Sequence, residues 1–202
     1  MNNTDLQNSI DKAWVGLVLG LLLLGGASLV AQFSEPTYDE MVSGDIKQVV
    51  PDYNSGQMMS GDFGQYQLAY ISQQGDFFKF TDSEDSEFNG PIHQVEKSGD
   101  DLIVGGLFTA YGQSLVGYLA KLNSKGQLDS DFARNMGTGF DDEVKRIFML
   151  RSGDFVVTGK FQTYNGYNVE GVAYIRSDGS LLEEFPASKG LNGPVLSVTE
   201  LS

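Results

Sequence analysis

The side chains able to do chemistry in this chain are few, and most are carboxylates set among Gly, Ser and Asn. Asp82, Glu84, Asp85 and Glu87 form one cluster, Asp129 and Asp131 a second, and Asp141, Asp142 and Glu143 a third. Carboxylates this close together on loops are the raw material of a Ca²⁺ site, which takes about six to eight oxygen ligands. Asp82, Asp85, Asp129, Asp131, Asp141 and Asp142 are therefore the candidate metal ligands. No cluster has EF-hand spacing, and Asp-x-Asp in a turn equally serves to cap backbone N–H groups. Two converging carboxylates would equip a glycoside hydrolase, but their separation of about 5 to 9 Å is set by the fold. His93 is the only histidine and cysteine is absent. Thiol nucleophiles, disulfides and zinc sites built on Cys or several His are thereby excluded, and no cofactor other than Ca²⁺ is expected.

Thirteen Lys and Arg stand against 27 Asp and Glu, a formal charge of −14. A phosphate backbone would be repelled, so nucleic acid is excluded as a partner. Between Lys12 and Glu35 there is no charge, and Trp14 to Ala31 reads WVGLVLGLLLLGGASLVA. At about 1.5 Å per residue this run makes about 27 Å of helix, close to the thickness of a bilayer's hydrocarbon core. Residues 1–12 are expected to be a short cytoplasmic segment and 13–34 a transmembrane helix or uncleaved signal anchor, with Lys12 on the inner side. The competing reading is a cleaved secretory signal, with Ala27, Ser28 and Ala31 near the cut. Against it, Asp5 and Asp11 face a single Lys in the leading segment. Either reading delivers the rest of the chain outside the cytoplasm, as a membrane-anchored periplasmic or cell-surface domain or, after cleavage, a secreted one. Gly16 and Gly20 form a G-x-x-x-G pair at which two membrane helices can approach closely.

Residues 35–202 repeat at a period of about fifty-two, a signature of a repeat architecture. Ala69-Tyr70-Ile71 with Gly75 matches Ala120-Lys121-Leu122 with Gly126, and again Ala173-Tyr174-Ile175 with Gly179. Asn89-Gly90-Pro91-Ile92 matches Asn192-Gly193-Pro194-Val195, with Asp141-Asp142-Glu143-Val144 in the middle copy. The longest match aligns Ile103 to Tyr111 with Val156 to Tyr164; Gly61, Phe63 and Tyr66 form an eroded copy without the loop that follows in the other two. His93 aligns with Lys145 and Leu196, so it reads as exposed and incidental. Short runs rich in Val, Ile, Phe and Tyr, broken by Ser-Gly-Asp or Ser-Asp-Gly, predict about four strands per unit. No sustained period of 3.6 appears, so the domain is expected to be all-β.

The pattern FNGPI, then GDDLIVGGLFTAY, then LAKLNSKGQLDSDF, then GTGF closely resembles the delta-60 repeat of bacterial β-propeller-like proteins. The resemblance rests on Phe88, Gly90, Gly105, Gly106, Phe108, Tyr111, Leu122, Gly126, Leu128, Asp129, Phe132, Gly139 and Phe140. In the next copy it rests on Gly159, Phe161, Tyr164, Asn165, Gly166, Asp178, Gly179 and Phe185. It implies four-stranded blades in a secreted or surface-located binding or structural module. Repeats fall at about 36–87, 88–139 and 140–190, with a partial one at 191–202. That is a little over three, whereas closed propellers have about four or more. The tail pairing with residues near 38–50, a trefoil-like closure, and an open array completed by a partner or a longer parent all satisfy this count.

Phe63, Phe108 and Phe161, with Tyr66, Tyr111 and Tyr164, recur at one offset and are expected in the core. Features that do not recur are where binding is expected: Tyr53 to Met59, and the loops Gly112 to Gly117 and Asn165 to Gly171. The expected function is a non-enzymatic extracytoplasmic binding or structural module, anchored in the membrane by residues 13–34 and engaging a protein partner or further copies of itself. The alternatives are a filament or appendage subunit packed through its amino-terminal helix, and a carboxylate-based hydrolase.

Overall fold

The computed structural model describes residues 46–52, 56–63, 66–72, 77–80, 87–185, 195 and 197–200. The apolar segment 13–34, with Gly16 and Gly20, lies outside the described residues, as do Asp82, Glu84 and Asp85. No helix among the described residues is long and apolar enough to cross a membrane.

The first unit is an antiparallel sheet of β1 (Ile46–Asp52), β2 (Gly56–Phe63), β3 (Tyr66–Ser72) and β4 (Phe77–Lys79), paired in that order. The second contains β5 (Ile92–Ser98), β6 (Asp101–Gly106), a small hairpin of β7 (Ala110–Tyr111) and β8 (Ser114–Leu115), and β9 (Leu119–Leu122). The third repeats it with β10 (Val144–Met149), β11 (Phe155–Gly159), the hairpin β12 (Thr163–Tyr164) and β13 (Tyr167–Asn168), and β14 (Val172–Ile175). Their sheets run β5-β6-β9 and β10-β11-β14, and the fourth strand position shrinks to one bridge in each, Leu122 to Leu128 and Ile175 to Leu181. In the first unit β2 returns directly into β3, with Phe63 in register with Tyr66 and no added hairpin. The same irregularity opens each first strand, between Ile46 and Gln48, Ile92 and Gln94, and Val144 and Arg146.

The recurring aromatics form the expected core in the second and third units. Phe88 lies 4.3 Å from Phe108 and 4.6 Å from Tyr111, ring centre to centre. Phe140 lies 4.0 Å from Phe161 and 4.6 Å from Tyr164. Both buried phenols need a partner and find the same one: Tyr111 Oη donates to the Gly126 carbonyl and Tyr164 Oη to that of Gly179, each at 2.6 Å. The hairpin of each unit is thereby locked to the turn after its third sheet strand.

Neighbouring units meet through their first strands. Each first strand is the edge of its own sheet, and an edge strand carries outward-facing N–H and C=O groups that need partners. The Gln48 side chain, on β1, accepts from the Val95 N–H at 2.8 Å and donates to the Val95 carbonyl at 2.8 Å. Gln94, at the matching place on β5, accepts from the Ile147 N–H at 3.0 Å and donates to its carbonyl at 2.9 Å. A side-chain amide carries donors and an acceptor on one planar group, so it substitutes for a strand neighbour at one residue. Small residues one strand further out, Ser60, Gly105 and Thr158, occupy one register position. At Gly105 a Cβ would stand 2.5 Å from Val144 Cγ1, so glycine there lets β10 close onto β6.

The described domain is mostly strands, consistent with the all-β expectation, and carries one short helix, α1, at Ser130–Met136. Asp129 caps it, accepting from the N–H groups of Asp131 and Phe132, and Gly137 ends it at φ 63°. At seven residues it is too short to register as a helical period. Its Phe132 stacks on Phe155 of the third unit, with ring centres 6.3 Å apart.

Gln94→Ala strips two partners from the buried Ile147 backbone, and unpaired buried groups of this kind cost about 1–3 kcal/mol each. The expected loss is about 2–4 kcal/mol in chemical denaturation, against less than about 0.5 kcal/mol for Lys125→Ala on an exposed turn. Gln94→Glu keeps the size but turns an acceptor toward the Ile147 carbonyl, and is expected to cost as much as Ala.

Candidate functional site

The described carboxylates proposed as metal ligands are engaged by the backbone or by cations. Asp129 caps α1 at 3.1 and 3.0 Å, and shares Lys121 with Asp101, each pair at 3.2 Å. Burial opposes its charge, but the Phe132 N–H and Lys121 outweigh this and hold its carboxyl below the usual range. Asp131 pairs with Arg134 at 2.7 Å on the surface. Asp141 accepts from the N–H groups of Gln162 and Thr163 at 2.8 and 2.9 Å. Asn89 does the same for Thr109 and Ala110 at 2.8 and 3.0 Å, so this place requires an acceptor rather than a charge. Asp142 accepts from the Glu143 N–H at 2.6 Å. Among the described residues, no group of three or more His, Asp or Glu is placed to hold a metal ion.

His93 is not incidental. Its Nε2 lies 2.9 Å from Glu143 Oε2, which joins β5 of the second unit to the start of β10 in the third. Glu143 is only 4% exposed, yet it also meets Lys145 and Lys160, each at 2.6 Å. The cationic heads themselves shield the carboxylate, which lies near the surface. Burial opposes its ionisation, but Lys145, Lys160 and His93 outweigh this and hold its pKa at about 2. The aligned copies have Pro91 and Pro194 at this position, and that exchange of proline for a carboxylate is the sequence signal of the cluster.

The places that do not recur fare differently. Met58 and Met59 are buried in the core, which corrects their reading as part of a binding segment; Tyr53 to Ser55 lie outside the described residues. The loops Gly112 to Gly117 and Asn165 to Gly171 are the β7–β8 and β12–β13 hairpins, and they present Leu115 at 82% and Tyr167 at 48% exposure. The second of them walls a pocket of about 150 Å³, lined further by Val172 to Tyr174, Leu181 to Glu183 and Phe185.

This pocket arises from a departure between repeats. Where the second unit has Asp129 to cap a helix and hold Lys121, the third has Leu182 facing Tyr174 across the corresponding backbone hydrogen bond. Leucine cannot cap, and residues 182–185 form a turn rather than a helix. Phe185, the counterpart of buried Phe132, is 37% exposed and lies against Tyr174, with ring centres 5.5 Å apart and planes at 52°. The sequence signal is the exchange of DSDF for LEEF at matching positions.

These geometries define the class: a β-propeller-like repeat domain. The model of a β-propeller domain of unknown function, DUF5122, matches residues 101–132, from β6 to the first turn of α1. A crystal structure of a protein of unknown function from Bacteroides caccae is similar at 12% identity with a TM-score of 0.43, over 68% of this chain and 47% of that one. The chain thus spans about half the length of that protein. No curated protein matches the chain.

The depressed pKa of Glu143 has a definite sign in stability. A carboxyl at about 2 when folded and 4.5 when unfolded stabilises fully above pH 4.5 and loses that contribution as pH falls toward 2. In acid titrations of folding stability, Glu143→Gln is expected to be less stable than the parent at pH 7 and to lose less over this acid range.

Proposed function

We propose that residues 35–202 form a non-enzymatic, extracytoplasmic protein-binding module of delta-60 repeats, held at a membrane by residues 13–34. The observation that carries this reading is the placing of the departures from the repeat. The frame recurs, while the outer edge of the third unit carries a pocket walled by half-exposed Tyr167 and Phe185. Loops and hairpins on a rigid scaffold are where binding surfaces concentrate. Leu115, at the place that Asn168 holds in the third unit, gives the second hairpin an exposed apolar tip as well. The work of such a module is done by shape and by burial of these side chains, with no bond made or broken in the partner.

The reading is tested by a photo-crosslinking residue at Tyr167 in the full-length chain in intact cells, with the same residue at Lys125 as control. A discrete protein adduct in the membrane fraction, formed from Tyr167 and not from Lys125, is expected. No adduct, or the same pattern from both positions, would overturn it.

A further inference from the structure

The pocket on the third unit has a composition that selects among partners. Three aromatic residues, Tyr167, Tyr174 and Phe185, line it together with Glu183, and among the described residues no Lys or Arg lines it. Tyr174 and Phe185 touch at an angle, so a group lodged at their junction meets both rings. The Tyr174 hydroxyl donates to Asp154 Oδ2 at 2.9 Å, which fixes the ring from its far end. Asn168, also in the lining, donates from Nδ2 to Glu170 Oε1 at 2.9 Å. Arg176 is not among the described lining residues; its guanidinium donates to the Leu181 carbonyl at 2.9 Å and its charge helps lower the Asp178 pKa.

The π-faces of aromatic rings are electronegative and attract cations, most strongly where water is partly excluded. A neighbouring carboxylate adds to that attraction, and the apolar walls Val169, Val172 and Leu181 suit an alkyl stem. The whole chain, at −14, favours the approach of positive charge. In the second unit Lys121 takes the place of Tyr174 and pairs with Asp129 and Asp101. The repeat thus holds a lysine of its own in one unit and an aromatic residue, Tyr174, at the same place in the next.

We propose that this pocket receives a lysine or arginine side chain of a protein partner, its stem along Val169 and Leu181 and its charge over the Tyr167, Tyr174 and Phe185 rings beside Glu183. This rests on the binding-module reading and names the chemistry of the partner's anchor. The anchor is an exposed basic residue on the partner, and an acidic neighbour on that partner would be repelled by Glu183.

The test uses two matched probes, Nα-acetyl-lysine amide and the neutral Nα-acetyl-norleucine amide, titrated into the full-length chain while the aromatic ring resonances are followed by NMR. The lysine probe is expected to shift Tyr167, Tyr174 and Phe185 and to bind about fivefold or more tightly than the norleucine probe. Tyr167→Ala and Glu183→Gln, both at the surface, are expected to reduce that preference without loss of the remaining dispersion of the spectrum. Equal shifts from both probes would show an apolar pocket only, and no shift from either would show no site; each overturns the proposal. Failure here alongside a Tyr167 adduct in cells removes the basic anchor and leaves the binding module standing, whereas loss of the adduct removes the module itself.

Discussion

The structure depends on how an edge strand finds partners without another strand beside it. In each unit the first strand has one side bonded to its own sheet, and on β5 and β10 the other side receives a side chain from the unit before. At Val95 and Ile147 that outward N–H and C=O pair is taken by the side-chain amide of Gln48 or Gln94 from the unit before. A side chain can do this at one residue only, which fixes the register between units more sharply than apolar packing, whose energy varies smoothly with sliding. Gly105 then admits β10 of the neighbouring unit, and the aromatic trios pack beside the hairpins of the second and third units. The matching place on β10 holds Arg146, which has donors and no acceptor, so the third unit does not extend the amide series. Contact with the following segment is made differently, the Arg151 N–H donating to Glu200 Oε2 at 3.0 Å.

A scaffold registered in this way allows single departures to create local surfaces without disturbing the rest. Replacing Asp129 by Leu182 at matching positions removes a helix cap and an ion pair together, and Phe185 lies on Tyr174 instead of crossing to a neighbour as Phe132 does. The replacement of Pro91 by Glu143 has the opposite character. It adds a carboxylate that three nitrogen groups close around, one of them His93 of the preceding unit. The first departure opens a pocket on the outer edge, and the second tightens the junction between the second and third units.

Much of this was legible in the sequence. The period of about fifty-two placed the units, and the recurrence of Phe108 with Phe161 and Tyr111 with Tyr164 identified their core, because a residue with the same role in each repeat shares its neighbours. The hairpins Gly112 to Gly117 and Asn165 to Gly171 were singled out by their absence from the first copy. The amide bridges were not legible, since Gln48 lies in the most eroded copy and Arg146 breaks the series at the third. The His93–Glu143 contact joins residues fifty apart in different units, and no local pattern encodes it. The helix α1 was lost in the loop because it is only seven residues long, and the acidic pair at its start read as a metal cluster although one of the two is its cap. The pocket escaped because Phe185 aligns with a core residue, and only the missing cap at Leu182 distinguishes the two.

Amide hydrogen exchange at Val95 and Ile147 tests most directly whether side-chain amides hold the units in register. These N–H groups face away from their own sheets, so their protection depends on Gln48 and Gln94. Exchange as slow as that of the central-strand amides, lost selectively at Ile147 in a Gln94→Ala chain and at Val95 in a Gln48→Ala chain, is the predicted result. Exchange at loop rates in the parent chain, or protection that survives both substitutions, would contradict the account.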